Sequence, residues 1–153
     1  MLQTVVSSNP TISAEDVAAF EKLHGITLPE SYRKFLIEHN GGRPTPTVFP
    51  ISGLENNPYG SIQVFFGMKA RVPSSDLDAV LSDVETLIPV GIVPIAITGC
   101  ADYLVLDIRK KGAPVAFWDR RSFWGSDRWS EEDLYRVAGN FPALLRSLHA
   151  ESG

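Results

Sequence analysis

Two short segments near the N-terminus carry apolar side chains at helical spacing. The first begins after Ser13, a residue type that caps helices, and ends at Gly25, which suits the left-handed position after a helix. The second begins at Pro29 and stops at Asn40. The positions that repeat every three or four residues are Val17, Phe20 and Leu23 in the first segment and Tyr32, Phe35, Leu36 and His39 in the second. The pattern predicts a helical hairpin.

After the hairpin the pattern changes to short runs that are typical of β-strands. Val48 to Ile51 forms one run, and Ser61 to Phe66 alternates as a half-buried strand does. Three further runs follow at Val93 to Thr98, Tyr103 to Ile108 and Val115 to Asp119. The turns between these three runs are too short for a parallel crossover. They predict an antiparallel meander, within a sheet of about five to six strands.

Two more helical regions are predicted to cover this sheet. Ser75 is expected to cap a middle helix, and Ser130 precedes an acidic first turn near the C-terminus. The apolar stripe of the middle helix is Leu77, Val80, Leu81 and Val84. The apolar positions of the C-terminal region are Leu134, Val137, Phe141, Leu144, Leu145 and Leu148. Gly139 and Pro142 are expected to divide this region into two helices. Arg43 to Pro46 is expected to be an extended loop. The sequence predicts an α+β fold whose antiparallel sheet is covered by the N-terminal hairpin, an acidic middle helix and C-terminal helices.

The length of 153 residues predicts a single domain over residues 1–153. Its one cysteine, Cys100, excludes an internal disulfide and a multi-cysteine zinc site. No apolar run reaches the roughly 18 to 20 residues of a membrane span, and Met1 to Thr11 lacks the features of a signal peptide. These observations predict a cytoplasmic protein that does not enter a membrane.

The formal net charge is 14 − 18 = −4, and the acidic residues are unevenly distributed. Val72 to Ile108 contains no Lys or Arg and carries −6, which leaves +2 for the rest of the chain. The six carboxylates are Asp76, Asp78, Asp83, Glu85, Asp102 and Asp107. This distribution argues against nucleic-acid binding, which depends on Lys and Arg, and favours a basic protein partner. Simple solvation of one side of the domain is the alternative.

Few residues suggest catalysis. Each histidine falls near a predicted helix C-terminus, where the helix dipole favours it. A thiol enzyme would need Cys100, Asp102 and the remote His39 to meet, and nothing in their spacing requires this. Asp102, Asp107 and Asp119 are carboxylates of the kind that bind a divalent metal ion. Arg109 and Arg120, however, can pair with Asp107 and Asp119. We therefore expect no enzyme activity, no cofactor and no metal.

Two tryptophans stand in a polar stretch near the C-terminal end of the meander. Trp124 and Trp129 surround Gly125, Ser126 and Asp127. Aromatic side chains in such a loop either pin it to the core or remain available to a partner. Trp124 is therefore a candidate contact residue.

One stretch resembles a known family. Phe20 to Leu36, followed by Asn40-Gly41-Gly42-Arg43-Pro44, is similar to the N-terminal signature of the SUKH superfamily, which is named from the Smi/Knr cell-wall regulators of yeast. Ile95-Ala96, Asp102 to Asp107 and Val115 to Asp119 follow in the order of that family's second half. The resemblance extends over residues 13–148.

The resemblance implies an α+β domain that works by binding proteins and has no catalytic residues. Its bacterial members are mostly immunity proteins that neutralise a cognate toxin, often a nuclease or deaminase; the fungal members are regulatory scaffolds. The positions that match the family's motifs, expected to be architectural, are Leu28, Pro29, Tyr32, Asn40, Gly41, Gly42, Asp102, Asp107, Trp118 and Asp119.

This chain departs from the family at Cys100, Ala101 and Arg120. Relatives usually have glycine in the turn that Cys100 and Ala101 occupy, and often have His at the position of Arg120. The candidate contacts to a basic toxin are Asp76, Asp78, Asp83, Glu85, Asp102 and Trp124. The sequence leaves the toxin's chemistry, the stoichiometry and the oligomeric state open.

Overall fold

The computed structural model describes residues 1–54, 56, 58–120 and 129–151. Within these residues there are an antiparallel sheet of six strands, a smaller sheet of two strands, and four α-helices. The strands are β1 Thr4–Val6, β2 Arg43–Thr45, β3 Val48–Pro50, β4 Tyr59–Phe65, β5 Ile92–Thr98, β6 Tyr103–Asp107, β7 Val115–Trp118 and β8 Leu134–Ala138. The helices are α1 Ala14–His24, α2 Glu30–His39, α3 Leu77–Val84 and α4 Phe141–Ser147. The predicted α+β class is confirmed.

The helical hairpin forms as its caps predict. Ser13 and Asp16 make a reciprocal capping box, with 3.2 Å from the Asp16 amide to Ser13 Oγ and 2.9 Å from the Ser13 amide to Asp16 Oδ2. Gly25 adopts the left-handed conformation that ends α1, with φ of 66°. Pro29 stands at the N-cap of α2. The two helices place Phe20, Tyr32 and Phe35 in the core.

The six strands follow one another in chain order, from β3 to β8, and each pair is antiparallel. Almost every residue of β5, β6 and β7 is buried, so these strands form the centre of the core. The amide of Ser52, just beyond β3, donates a hydrogen bond of 2.9 Å to the carbonyl of Arg136 in β8. This bond joins the two ends of the sheet and makes it nearly a barrel.

Two expectations for the N-terminal half are wrong. Arg43–Thr45 is a strand rather than an extended loop, because it pairs with Thr4–Val6, which the sequence did not predict as a strand. The cap of α3 is Asp76 rather than Ser75, since Asp76 Oδ2 accepts a hydrogen bond of 3.0 Å from the Ala79 amide. Ser75 ends the preceding 3-10 turn, Pro73–Ser75.

The C-terminal region also differs from the prediction. Leu134–Ala138 is a strand on the outer side of β7, and the helix is confined to Phe141–Ser147. Ser130 caps a 3-10 turn, Glu131–Asp133, rather than a long helix. The free edge of β7 provides backbone partners for this segment, and that tertiary pairing overrides the helical spacing of its apolar residues.

The turn after α2 fixes the hairpin against the sheet. Asn40 Nδ2 donates to the carbonyls of Pro10 and Met68, both at 2.8 Å, and Asn40 Oδ1 accepts from the Met68 amide at 2.7 Å. Gly41 has φ of 81°, and a Cβ there would lie 2.7 Å from the carbonyl oxygen of Phe65. Only glycine fits a backbone position this close to a neighbouring strand.

Candidate functional site

The exposed residues on and next to the third helix combine carboxylates with apolar side chains. We call this region the α3 surface and define it as Leu23, Asp78, Asp83, Glu85, Leu87 and Val90. Leu23 and Asp78 line one hollow, and Glu85 and Val90 line a second. Leu23 and Val90 are each 72% exposed. Large apolar side chains this exposed, surrounded by charge, are typical of a protein-binding surface.

A buried histidine lies beneath two of these carboxylates. The His24 side chain is 3% exposed, with Nε2 2.6 Å from Asp78 Oδ1 and Nδ1 2.8 Å from Glu85 Oε2. Both carboxylates only accept hydrogen bonds when ionised, so the two contacts together require an imidazolium. Burial lowers the pKa of His24, but the hydrogen bonds to Glu85 and Asp78 outweigh it and the pKa is raised.

This contact leaves the carboxylates accessible. The side chains of Asp78 and Glu85 remain 49% and 42% exposed. Asp83 is exposed on α3 and has no hydrogen-bond partner within the described part of the chain. Asp78 and Glu85 share one imidazolium, so these two carboxylates and Asp83 together leave a net negative charge on the α3 surface.

The other predicted contact residues are placed differently. Asp76 caps α3 and also accepts a hydrogen bond of 3.0 Å from the Ala70 amide. Asp102 is 3% exposed, and its Oδ1 accepts a hydrogen bond of 3.0 Å from the Arg120 amide. A carboxylate so deeply buried offers a partner very little surface. Trp124 lies outside the described residues.

A cleft lies next to the turn between β5 and β6. Its volume is about 560 Å³, and Cys100, Asp102 and His149 are among the residues that line it. Cys100 is an exposed residue. His39, which a thiol enzyme was expected to use, lines a different hollow beside Ser7 and Asn40. The structure does not bring His39 to Cys100.

Within the described ranges, no group of three or more His, Cys, Asp or Glu side chains is arranged to hold a metal ion. No helix in those ranges is long and apolar enough to span a membrane.

The comparisons decide which family this arrangement represents. Residues 11–147 match the model of the SMI1 / KNR4 family (SUKH-1). The chain belongs to the SUKH-1 family. A comparison with curated proteins gave no significant match. Membership confirms the resemblance seen in the sequence and places the chain among protein-binding domains of the immunity and regulatory-scaffold type.

The SUKH-1 motif residues of the hairpin occupy packing positions. Leu28 is buried, and its amide donates a hydrogen bond of 2.7 Å to Glu21 Oε2. The buried ring of Tyr32 packs edge-on against Phe141, with 5.1 Å between the ring centroids. The first contact ties the turn of the hairpin to α1, and the second packs the hairpin against α4.

The motif residues of the second half hold the meander and the turn that follows it. The buried Trp118 ring lies 5.5 Å from the ring of Trp129, and the Asp119 amide donates a hydrogen bond of 2.9 Å to the Asp133 carbonyl. Trp129 thus pins its segment to the core. These contacts bring the residues before the 3-10 turn Glu131–Asp133 against the end of β7.

Asp107 forms the main ionic contact of this half. It accepts hydrogen bonds from Arg109 Nε at 2.9 Å and from Arg109 Nη2 at 3.0 Å, which confirms the expected Asp107–Arg109 pair. Arg109 also bonds Glu131, with 2.7 Å from Nη1 to Oε1. Burial raises the pKa of Asp107, but the Arg109 guanidinium outweighs this and holds that pKa below its ordinary value.

Sequence reasoning missed two parts of the site. It explained His24 by the helix dipole and did not foresee Asp78 and Glu85, which lie 54 and 61 positions further along the chain. It also did not foresee that His149 and Cys100 line the same cleft. The one available signal for the first contact was a histidine at the end of a helix together with a helix rich in carboxylates.

Proposed function

We propose that this SUKH-1 domain is a cytoplasmic immunity protein that binds and neutralises a cognate basic toxin through its α3 surface. The toxin is expected to be a nuclease or another toxin of a polymorphic or contact-dependent system. The observation that supports this proposal is the combination, on and next to α3, of exposed apolar side chains with carboxylates whose charge His24 offsets only in part.

The apolar residues of the α3 surface supply the area that a tight complex needs. Leu23, Leu87 and Val90 are exposed, and burying them against a partner removes apolar surface from water at roughly 25 cal/mol per Å². Residues that become fully buried at the centre of an interface contribute most of the binding energy in protein complexes, while the surrounding polar rim contributes less.

The carboxylates are expected to orient the approaching partner and to raise the rate of association. Asp78, Asp83 and Glu85 lie in a part of the sequence that contains no Lys or Arg between Val72 and Ile108. A negative surface attracts a basic partner before contact and accelerates association, most strongly at low salt. A nuclease toxin carries a basic surface because it binds phosphates.

Co-expression with the toxin encoded beside this protein tests the proposal. We expect restored growth of cells that express the toxin, and a stable complex of the two purified proteins. Absence of both results would refute the immunity function. A complex that leaves the toxin active would instead favour a regulatory scaffold.

Charge reversal tests the surface separately. Asp83→Lys places a cation on the α3 surface, and because Asp83 is exposed the fold should be unaffected. We expect the association rate to fall about tenfold at low salt. Glu38→Lys is the matched control, since it makes the same charge change at an exposed position on α2. Equal effects of the two variants would exclude the α3 surface as the binding site.

A further inference from the structure

The cleft beside the β5–β6 turn has the size and lining of a side-chain receptor. Its volume of about 560 Å³ lies in the range of small-molecule sites. Val48 and Phe117, both buried, form an apolar part of its lining. Tyr59 belongs to the same lining and is 56% exposed, so a large aromatic surface is open to a ligand.

The aromatic wall is held in place by the C-terminal segment. The Tyr59 ring packs edge-on against the His149 ring, with 5.5 Å between centroids. His149 is itself fixed by two backbone hydrogen bonds of 3.0 Å with Val48. The Tyr59 ring is therefore already ordered, so little side-chain entropy is lost when a ligand stacks on it.

The charge of the cleft selects for a cation. The exposed Glu151 and the largely buried Asp102 belong to its lining, and no Lys or Arg does so among the described residues. The guanidinium of Arg120, close by in the chain, lies 4.0 Å from the ring centroid of Tyr103, which is outside the lining. An anionic ligand would find no Lys or Arg side chain in the described lining.

We propose that the cleft receives an arginine side chain from the protein partner. The guanidinium is planar and weakly hydrated, so it stacks on an aromatic ring and bonds to a carboxylate at the same time. Its aliphatic stem lies along Val48 and Phe117, the ring of Tyr59 covers the guanidinium, and Glu151 accepts its hydrogen bonds. The source of the arginine rests on the proposed function; the chemistry of the cleft does not.

A titration of the full chain with short peptides tests the chemistry without any toxin. The probes are acetyl-Gly-Arg-Gly-amide and the same peptide with Gln or Trp in place of Arg, followed by amide NMR shifts. We expect the Arg peptide to shift the amides of Tyr59, Thr98 to Cys100 and His149, and the Gln peptide to leave them unchanged. No localised shift, or stronger binding of the Trp peptide, would overturn the proposal.

Two pairs of variants sharpen the test. Tyr59→Leu should weaken Arg-peptide binding by about two- to fivefold, whereas Tyr59→Phe, which keeps the ring, should preserve it. A Cβ at Gly99 would meet no atom within 4 Å, so Gly99→Ala should bind normally while Gly99→Phe fills the cleft and reduces binding at least tenfold. Equal binding by Gly99→Phe and Gly99→Ala would contradict the assignment.

The two proposals fail in different ways. If the Arg peptide binds the cleft but the toxin is not neutralised, the proposed immunity function is wrong, while the proposal that the cleft binds an arginine side chain remains supported. If the toxin is neutralised and Gly99→Phe neutralises it equally well, the cleft has no part in that complex.

Discussion

Nε2 of His24 lies 2.6 Å from Oδ1 of Asp78, and this contact joins the end of α1 to the first turn of α3. Glu85 completes it from the other end of α3. The imidazole thereby fixes two carboxylates of the α3 surface and neutralises part of their charge. The protonation of one buried ring consequently affects both the stability of the fold and the charge of the α3 surface.

Stability should fall as the pH rises above neutrality. The folded pKa of His24 is raised above its ordinary value of 6.5, so the stabilisation is complete below about pH 6.5 and is lost as the pH rises through the folded value. Deprotonation removes one of the two hydrogen bonds, and we expect a loss of about 1 kcal/mol in the free energy of unfolding. Urea denaturation between pH 6 and pH 9 measures it.

His24→Asn should abolish this decline in stability. His39→Asn is the control and should retain it, because the His39 side chain is partly exposed and its Nε2 lies 4.0 Å from Oε2 of Glu38. A decline of the same size in His24→Asn would show that another group is responsible.

Asn40→Ala should destabilise the protein by about 3 kcal/mol, because it leaves the buried Met68 amide without its acceptor and two carbonyls without their donor. Asn9→Ala is the control: it removes one hydrogen bond of 2.8 Å to the Asn40 carbonyl at a half-buried site, and should cost about 1 kcal/mol. Thermal and urea unfolding measure both values. Similar losses in the two variants would contradict the central role of the Asn40 side chain.

Arg109→Met should destabilise the protein by about 2 to 4 kcal/mol, because Asp107, which is 2% exposed, then loses its principal counter-charge. Lys110→Met removes a cation that is 3.7 Å from the same carboxylate but is 62% exposed, and should cost less than about 0.5 kcal/mol. Urea denaturation at neutral pH compares them, and equal costs would rule out Arg109 as the dominant partner.

Gly60→Ala should cost about 1 to 3 kcal/mol in stability. A Cβ at this position would lie 2.4 Å from Cζ of Phe49, whose ring is fully buried and cannot move aside cheaply. Gly99→Ala, in the same cleft but in open space, should change the free energy of unfolding by less than about 0.5 kcal/mol. If Gly60→Ala is as stable as the natural protein, the Phe49 ring is more adaptable than its packing indicates.

Local chemistry predicted much of this fold. The boundaries of α1 follow from Ser13 and Gly25, whose capping and left-handed conformation depend on a few neighbouring residues. The central meander follows from turns that exclude a parallel connection. The prediction failed where pairing between distant segments decides the structure: Leu134–Ala138 has helical spacing, yet the open edge of β7 makes it a strand.

The candidate site was predictable in composition and not in geometry. The carboxylates of Asp78, Asp83 and Glu85 are visible as an acidic stretch in the sequence. Their relation to His24 depends on how α1 packs against α3, which no local pattern encodes. The burial of Asp102 has the same origin, because its partner is a backbone amide 18 positions away.

The closure of the sheet determines how this domain can recognise other proteins. Ser52 bonds to Arg136 in the last strand, and His149 pairs with Val48 in the first, so the outer sides of both end strands are engaged at these points. Addition of a partner's strand would have to displace those bonds. A partner that leaves these bonds intact would be recognised by side chains on a fixed scaffold, and substitutions on that surface would change the target without altering the fold.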